Sequence, residues 1–142
     1  MTASCGRCPR LRSEPTHLRT PTPRQLSGRR AEDLAAEFLC RAGCEILLRN
    51  YRRRVGELDI VARQAGVLIV AEVRTRASNT YGGAAASVTR AKQQRIARAA
   101  AALLQQRADL ARLPVRFDVL LVTDPHGPAP HIEWIQHAFA GA

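Results

Sequence analysis

Two acidic residues in an otherwise apolar part of the chain are the first candidates for chemistry. Asp59 lies in residues 56–62, where apolar side chains alternate with other types, and this period of two predicts a strand with one packed face. Glu72 interrupts the apolar run 67–73, which predicts a strand covered on both faces. A buried carboxylate is costly unless a cation, a proton or hydrogen bonds accompany it. The sequence therefore predicts a bound partner beside Glu72.

The turn between these two strands decides whether the acids meet. If residues 65–66 form a two-residue hairpin loop, Asp59 lies opposite Glu72 on one face of the sheet, and Glu57 lies opposite Arg74. A three-residue loop would put the two acids on opposite faces. We favour the shorter loop, because two facing carboxylates with Cβ atoms about 5 Å apart suit a hard divalent cation, Mg²⁺ or Mn²⁺. The alternative is a structural ion pair of Arg74 at a sheet edge.

Basic side chains lie on both sides of this hairpin. Residues 52–54 are three consecutive arginines on a segment that we expect to be a loop, where they can hold a phosphate backbone or form a solvated charge run. Lys92 and Arg95 follow Thr89, the predicted cap of a second helix. Cations at a helix N-terminus oppose the helix dipole, which favours an anionic ligand. Lys92 is the only lysine among 22 basic residues, and from this helix it could reach the acids.

The overall charge points in the same direction. The 142 residues suit one domain, and their formal net charge of +10 favours a polyanionic partner, nucleic acid before an anionic membrane. No apolar run approaches the roughly 20 residues that span a bilayer. The N-terminus lacks the apolar core of a secretory signal, so we expect a cytoplasmic protein without a membrane partner. The sequence gives no indication of the oligomeric state.

The predicted elements form an α/β domain. Residues 1–26 contain five arginines and four prolines without apolar periodicity, and we expect them to be disordered. The domain then occupies residues 27–142. Its first helix begins after Ser27 and ends at Gly43, strands follow at 45–48, 56–62 and 67–73, a helix starts after Thr89, and strands occupy 117–122 and 131–136. This order fits a mixed sheet with a helix packed on each side.

The chain also resembles a known family. The residues that carry the resemblance are Gly56-Glu57-Leu58-Asp59-Ile60, Val70-Ala71-Glu72-Val73-Arg74-Thr75-Arg76, Gly28 to Glu32, Asn50-Tyr51, Tyr81-Gly82-Gly83, Lys92 and Arg116-Phe117-Asp118-Val119. They look like the signature of the YraN family, bacterial proteins with a restriction-endonuclease-like fold. The resemblance implies a three-layer α/β/α core and a relation to nucleases built on an Asp followed by an acid-x-Lys tripeptide.

The resemblance also implies roles for individual residues. Asp59 and Glu72 would be the metal ligands, Arg74 stands at the lysine position, and Glu32 is a further acid from the first helix. Glu32 alternatively serves only to favour the positive end of that helix. The residues expected to contact nucleic acid are Arg52, Arg53, Arg54, Arg76, Lys92 and Arg95.

Arg74 is a departure from the nuclease pattern, and it leaves three functions open. An arginine clamps phosphate but is a poor proton carrier, so the protein is either a metal-dependent nuclease or a non-catalytic nucleic-acid binder with the same fold. A protein-interaction module that docks a partner on the Leu- and Ala-rich second helix is the third. An exposed apolar stripe on that helix would favour it.

Overall fold

The computed structural model describes residues 20–76 and 87–141, so the predicted tail up to residue 19 and the Tyr81-Gly82-Gly83 loop lie outside the described part. In chain order the elements are α1 (Pro23–Arg41), β1 (Glu45–Arg53), β2 (Gly56–Gln64), β3 (Val67–Arg76), α2 (Arg90–Gln106), the short α3 (Ala108–Ala111), β4 (Val115–Thr123) and β5 (His131–Phe139). The predicted order is confirmed, with α3 added.

The strands form one mixed sheet. Their spatial order is β1-β2-β3-β4-β5, in which β3 and β4 are parallel and the other neighbouring pairs are antiparallel. Parallel neighbours need a long crossover connection, and the segment containing α2 provides it. The parallel pair lies in the middle of the sheet, where both faces are covered.

Each face of the sheet carries one long helix. Leu39 of α1 packs with Ile60 in one apolar cluster, whereas Ile96 of α2 packs with Val70 in a second cluster on the opposite face. The α/β class is thus confirmed, and the arrangement is compatible with a restriction-endonuclease-like core. The apolar stripe of α2 is buried against the sheet, which removes the main argument for the protein-interaction module.

The first helix begins earlier than predicted. Its cap is Thr22 rather than Ser27: the Thr22 hydroxyl accepts from the backbone N–H of Gln25, and the Gln25 side chain accepts from the backbone N–H of Thr22. Pro23 occupies the first turn, where its fixed φ suits a helix. Residues 23–26, which we assigned to the tail, therefore belong to α1. The capping box outweighed the disorder-prone composition.

The arginine segment was predicted as a loop, and this was wrong. Arg52 and Arg53 belong to β1, and only Arg54 lies in the turn to β2. Pairing with β2 extends the strand, because Arg52 lies opposite Glu57 and makes an ion pair with it at 3.6 Å. The prediction that Glu57 would pair with Arg74 is also wrong, since the pairing of β2 with β3 ends before Glu57.

The strand β2 changes face beside Asp59. Leu58 and Ile60 should share a face at a period of two, yet Leu58 packs in the α2-side cluster and Ile60 in the α1-side cluster. On the neighbouring strand β1, Asn50 has the left-handed φ of 53° at the same level. Both strands therefore depart from a regular strand conformation here, and Asp59 lies within this region.

A fully buried carboxylate, Asp118, ties the edge strand β5 to β4. Its oxygens accept from Arg116 Nε and Nη2, each at 2.9 Å, from Trp134 Nε1 at 2.8 Å and from the backbone N–H of His137 at 3.1 Å. The pairing of β4 with β5 is irregular at Asp118, so its side chain supplies the contacts that regular pairing lacks. Asp118 therefore has a structural role.

Replacing Asp118 by asparagine is expected to lower the free energy of unfolding by about 3 kcal/mol, because it leaves the largely buried Arg116 guanidinium without its counter-charge. Urea denaturation of the two proteins measures the difference. Asp109→Asn is the matched control, since Asp109 pairs with Arg107 in solvent, and it should leave stability almost unchanged. Equal stability of D118N and the parent protein would contradict the structural role.

Candidate functional site

The hairpin of β2 and β3 has the predicted two-residue loop. Gln64 lies opposite Val67, and both loop residues, Ala65 and Gly66, have the positive φ values, 50° and 76°, that a tight turn of this hand requires. The described pairing ends with Ile60 opposite Ala71. The next position along each strand is Asp59 and Glu72, so the acids lie where the two strands stop pairing.

Asp59 bridges the two strands through its side chain. Its Oδ2 accepts from the backbone N–H of Val73 on β3 at 2.9 Å. This carboxylate also acts on Glu72, whose pKa it raises both by its charge and by a hydrogen bond to the protonated form. The prediction that the two acids converge is therefore confirmed.

Glu72 is a buried carboxyl, with only 6% of the residue exposed. Burial and, next, the charge of Asp59 raise its pKa from 4.5 to about 8, although Lys92 acts in the opposite direction. The ion pair with Lys92 thus offsets only part of the cost of ionising two neighbouring acids. A divalent cation held by both carboxylates would offset more, because it carries twice the charge of the ammonium group.

Lys92 reaches the acids from α2. Its Nζ lies 3.3 Å from Oε1 of Glu72. The start of α2 fixes its position, because the hydroxyl of Thr89 caps the helix by accepting from the backbone N–H of Lys92 at 3.2 Å. The single lysine of the chain therefore lies in the candidate site, although it comes from a helix. In a nuclease of the Asp and acid-x-Lys pattern, the lysine comes from the strand.

Glu32 approaches the same place from α1. Burial raises its pKa, the charge of Asp59 raises it further, and a hydrogen bond from Asn50 and the charge of Arg49 lower it. Asp59 therefore interacts with an acid from each neighbouring element, Glu32 on α1 and Glu72 on β3. Asn50 has no role that the sequence predicts, and its place in the Asn50-Tyr51 motif is the only signal for it.

The acids can hold a metal ion only as a pair. In residues 20–76 and 87–141 no group of three His, Cys, Asp or Glu side chains is arranged as a metal site. Mg²⁺ commonly binds through one or two carboxylates, with water and substrate phosphate oxygens completing its shell. Asp59 and Glu72 fit that pattern, whereas Glu32 is not brought into a three-acid set with them.

The two arginines of β3 have different surroundings. Arg74 follows Glu72 by two residues, so it lies on the same face of β3, partly buried and opposite Leu121 of β4. Arg76 lines a separate cavity of about 340 Å³ beside residues 124–127. Arg76 is therefore apart from the other residues expected to contact nucleic acid.

Those other residues line one cavity of about 380 Å³, which we call the arginine pocket. Its basic lining residues are Arg52, Arg53, Arg54, Lys92 and Arg95, and its one carboxylate is Glu57. The pocket lies between the β1–β2 turn and α2. Lys92 belongs both to this pocket and to the acidic site, so the two adjoin.

The family model described as "Uncharacterised protein family UPF0102" matches residues 31–122, which include Glu32, Asp59, Glu72, Arg74 and Lys92. None of the helices in the described residues combines the length and apolar character that crossing a bilayer requires.

Individual relatives match over most of their length. A UPF0102 protein of Saccharophagus degradans is 46% identical over 113 residues, which cover 80% of this chain and 92% of that protein. One from Alkalilimnicola ehrlichii is 44% identical over 84% of this chain and 90% of its own length, and one from Cupriavidus necator is 47% identical over 81% and 83%. Because the matches cover most of both chains, the protein belongs to the UPF0102, or YraN, family.

Proposed function

We propose that the protein binds nucleic acid and hydrolyses phosphodiester bonds with the help of Mg²⁺ or Mn²⁺. The observation that carries the proposal is the convergence of Asp59, Glu72 and the only lysine of the chain beside a pocket lined by basic side chains. Perturbed carboxyl groups of this kind are concentrated at functional sites.

Asp59 and Glu72 would hold the ion. When bound, it would supply an activated water and neutralise charge on the scissile phosphate. The hydrogen bond from the backbone of Val73 fixes the orientation of the Asp59 carboxylate, and burial fixes that of Glu72. The side chains therefore need little rearrangement to act as ligands.

Two cations of the chain would contact the phosphate itself. Lys92 is one-third exposed, so its ammonium group can contact a phosphate oxygen while it remains beside Glu72. Arg74 lies on the same face of β3 and can hold a phosphoryl oxygen as charge develops, but it stays protonated and does not transfer protons.

The test is a cleavage assay with purified protein, Mn²⁺ or Mg²⁺, and single-stranded, duplex and branched DNA and RNA. Cleavage that requires the metal and stops with EDTA is the expected result. Absence of metal-dependent cleavage on every substrate would overturn the catalytic part of the proposal. Absence of binding to every substrate would overturn all of it.

A non-catalytic nucleic-acid binder is the second candidate, and Arg74 at the lysine position favours it. Such a protein would bind through the arginine pocket, with an affinity that falls steeply with salt because phosphate contacts release counterions. Binding would survive EDTA and the loss of Asp59. These two properties without cleavage would select this candidate.

Arg74→Lys tests whether Arg74 weakens cleavage or Lys92 already supplies the lysine of the site. If Lys92 already supplies the lysine of the site, R74K is expected to change the cleavage rate by less than about threefold. A gain of tenfold or more, on the order of 1.4 kcal/mol in the barrier, would mean that Arg74 weakens the site. Single-turnover rates with saturating Mn²⁺ measure this, and Arg112→Lys, an exposed arginine after α3, is the matched control.

A further inference from the structure

The arginine pocket has a rigid wall. Gly56, at the start of β2, lies so close to α2 that a Cβ atom there would clash with the backbone oxygen of Arg95. Only glycine allows this approach, so the β1–β2 turn is held directly against the helix. The basic residues of the turn and of the helix therefore face one shared cavity.

Most of the positive charge in this pocket has no counter-charge. Arg53 is held by neutral groups, because its Nε donates to the Tyr51 hydroxyl at 2.9 Å and its Nη2 to the Gln106 side chain at 2.6 Å. Among the described residues, Arg54 and Arg95 make no ion pair, whereas Arg52 is paired with Glu57 at 3.6 Å and Lys92 with Glu72 at 3.3 Å. The first turn of α2 contains no acidic residue either.

We propose that the arginine pocket binds the terminal phosphate of a nucleic-acid strand, that is, a phosphomonoester at its end. This inference rests on the proposed function, because it assumes a nucleic-acid ligand. It adds that the protein recognises phosphorylated strand ends.

The shape and the charge of the pocket favour an end over an internal phosphate. An internal phosphodiester carries one charge, and the nucleic-acid strand continues on both sides of it, so it fits an open groove. A terminal phosphate carries close to two charges at neutral pH and enters a concave pocket end-on. Five basic side chains around about 380 Å³ match the more highly charged group.

The position of the pocket gives this recognition a consequence. Lys92 lines the pocket and also contacts Glu72, so an end bound in the pocket directs the following part of its strand toward the acids. A substrate would then be held near its terminus.

The experiment compares DNA strands of one sequence that differ only at their ends: 5′-phosphate, 3′-phosphate, or hydroxyl at both. Fluorescence anisotropy in EDTA gives their affinities without cleavage. One phosphorylated end is expected to bind at least about tenfold more tightly than hydroxyl ends, as one additional charged contact would give. The strand that binds more tightly shows whether the pocket recognises a 5′-phosphate or a 3′-phosphate.

Two variants locate the effect. Arg95→Gln removes a charge from the pocket, whereas Arg98→Gln removes the same charge from an exposed position one turn further along α2, outside the pocket. R95Q is expected to abolish most of the preference for the phosphorylated end, and R98Q to retain it.

Other outcomes overturn the inference separately from the proposed function. Equal affinity for phosphorylated and hydroxyl ends, or equal effects of the two variants, would remove the terminal-phosphate inference and leave nucleic-acid binding intact. If ATP or inorganic phosphate displaces the phosphorylated strand at a concentration lower than that of the strand itself, the pocket is assigned to a small anion instead. No binding of any strand would remove the proposed function as well.

Discussion

Asp59→Asn is expected to lower the metal-dependent cleavage rate by about 10³-fold, because the loss of a metal ligand removes charge stabilisation that a neutral amide cannot replace. Asparagine retains an oxygen that can accept the hydrogen bond from the backbone of Val73, so the local structure should persist. Initial cleavage rates at saturating Mn²⁺ measure the effect, with binding followed in parallel.

Stability separates this loss from misfolding. Asp59 raises the pKa of Glu72 through its charge, so removing the charge should leave the protein as stable as before, or more stable, in EDTA. Asp109→Asn removes an exposed carboxylate outside the site and should retain the parent rate. Unchanged cleavage by D59N, with the metal still required, would show that the ion is held elsewhere.

The second large effect is a dependence of stability on pH that originates at Glu72. In EDTA, the free energy of unfolding is expected to fall by about 4 kcal/mol more in the parent protein than in Glu72→Gln as the pH rises from about 5 to above 8. The charged groups that face Glu72 are Asp59, which opposes its ionisation, and Lys92, which favours it. Urea denaturation at a series of pH values measures the difference.

The sign follows from the direction of the pKa shift. The pKa of Glu72 is about 8 in the folded protein and 4.5 in the unfolded chain, so between these values the folded state retains a proton that the unfolded state has lost. Stability from this group is therefore complete below pH 4.5 and is lost as the pH rises through about 8.

Metal binding should reverse this loss. Mn²⁺ favours the ionised carboxyl, so the parent protein should regain stability above pH 7 and release close to one proton per ion bound near neutrality. Glu37→Gln, an exposed glutamate on α1, is the matched control and should follow the parent curve. Parallel pH curves for E72Q and the parent protein would mean that Glu72 ionises without unusual cost.

The hairpin at the centre of the site could be predicted because local rules determine it. The period of two located β2, and the two-residue loop at residues 65–66, which we favoured because it lets Asp59 face Glu72, has the register that the structure shows. The element order followed from helix caps and apolar runs in the same way. Each of these features depends on residues that are neighbours in the sequence.

The features that the sequence does not determine depend on contacts between distant segments. We expected that Lys92 could reach the acids, but its contact with Glu72 requires the packing of α2 on the sheet, which spacing alone does not give. The contact of Asn50 with Glu32 depends on the left-handed conformation of Asn50 within β1. The apolar pattern of a strand does not predict such a conformation. The need for glycine at position 56 comes from the approach of α2.

The single lysine has one more consequence. Because the other 21 basic residues are arginines, the chain carries one ε-amino group, and that group lies beside Glu72 with a third of its side chain accessible. An amine-directed reagent therefore has, apart from the chain terminus, one target in this chain. Its rate of attachment reports on the candidate site directly, without any substitution.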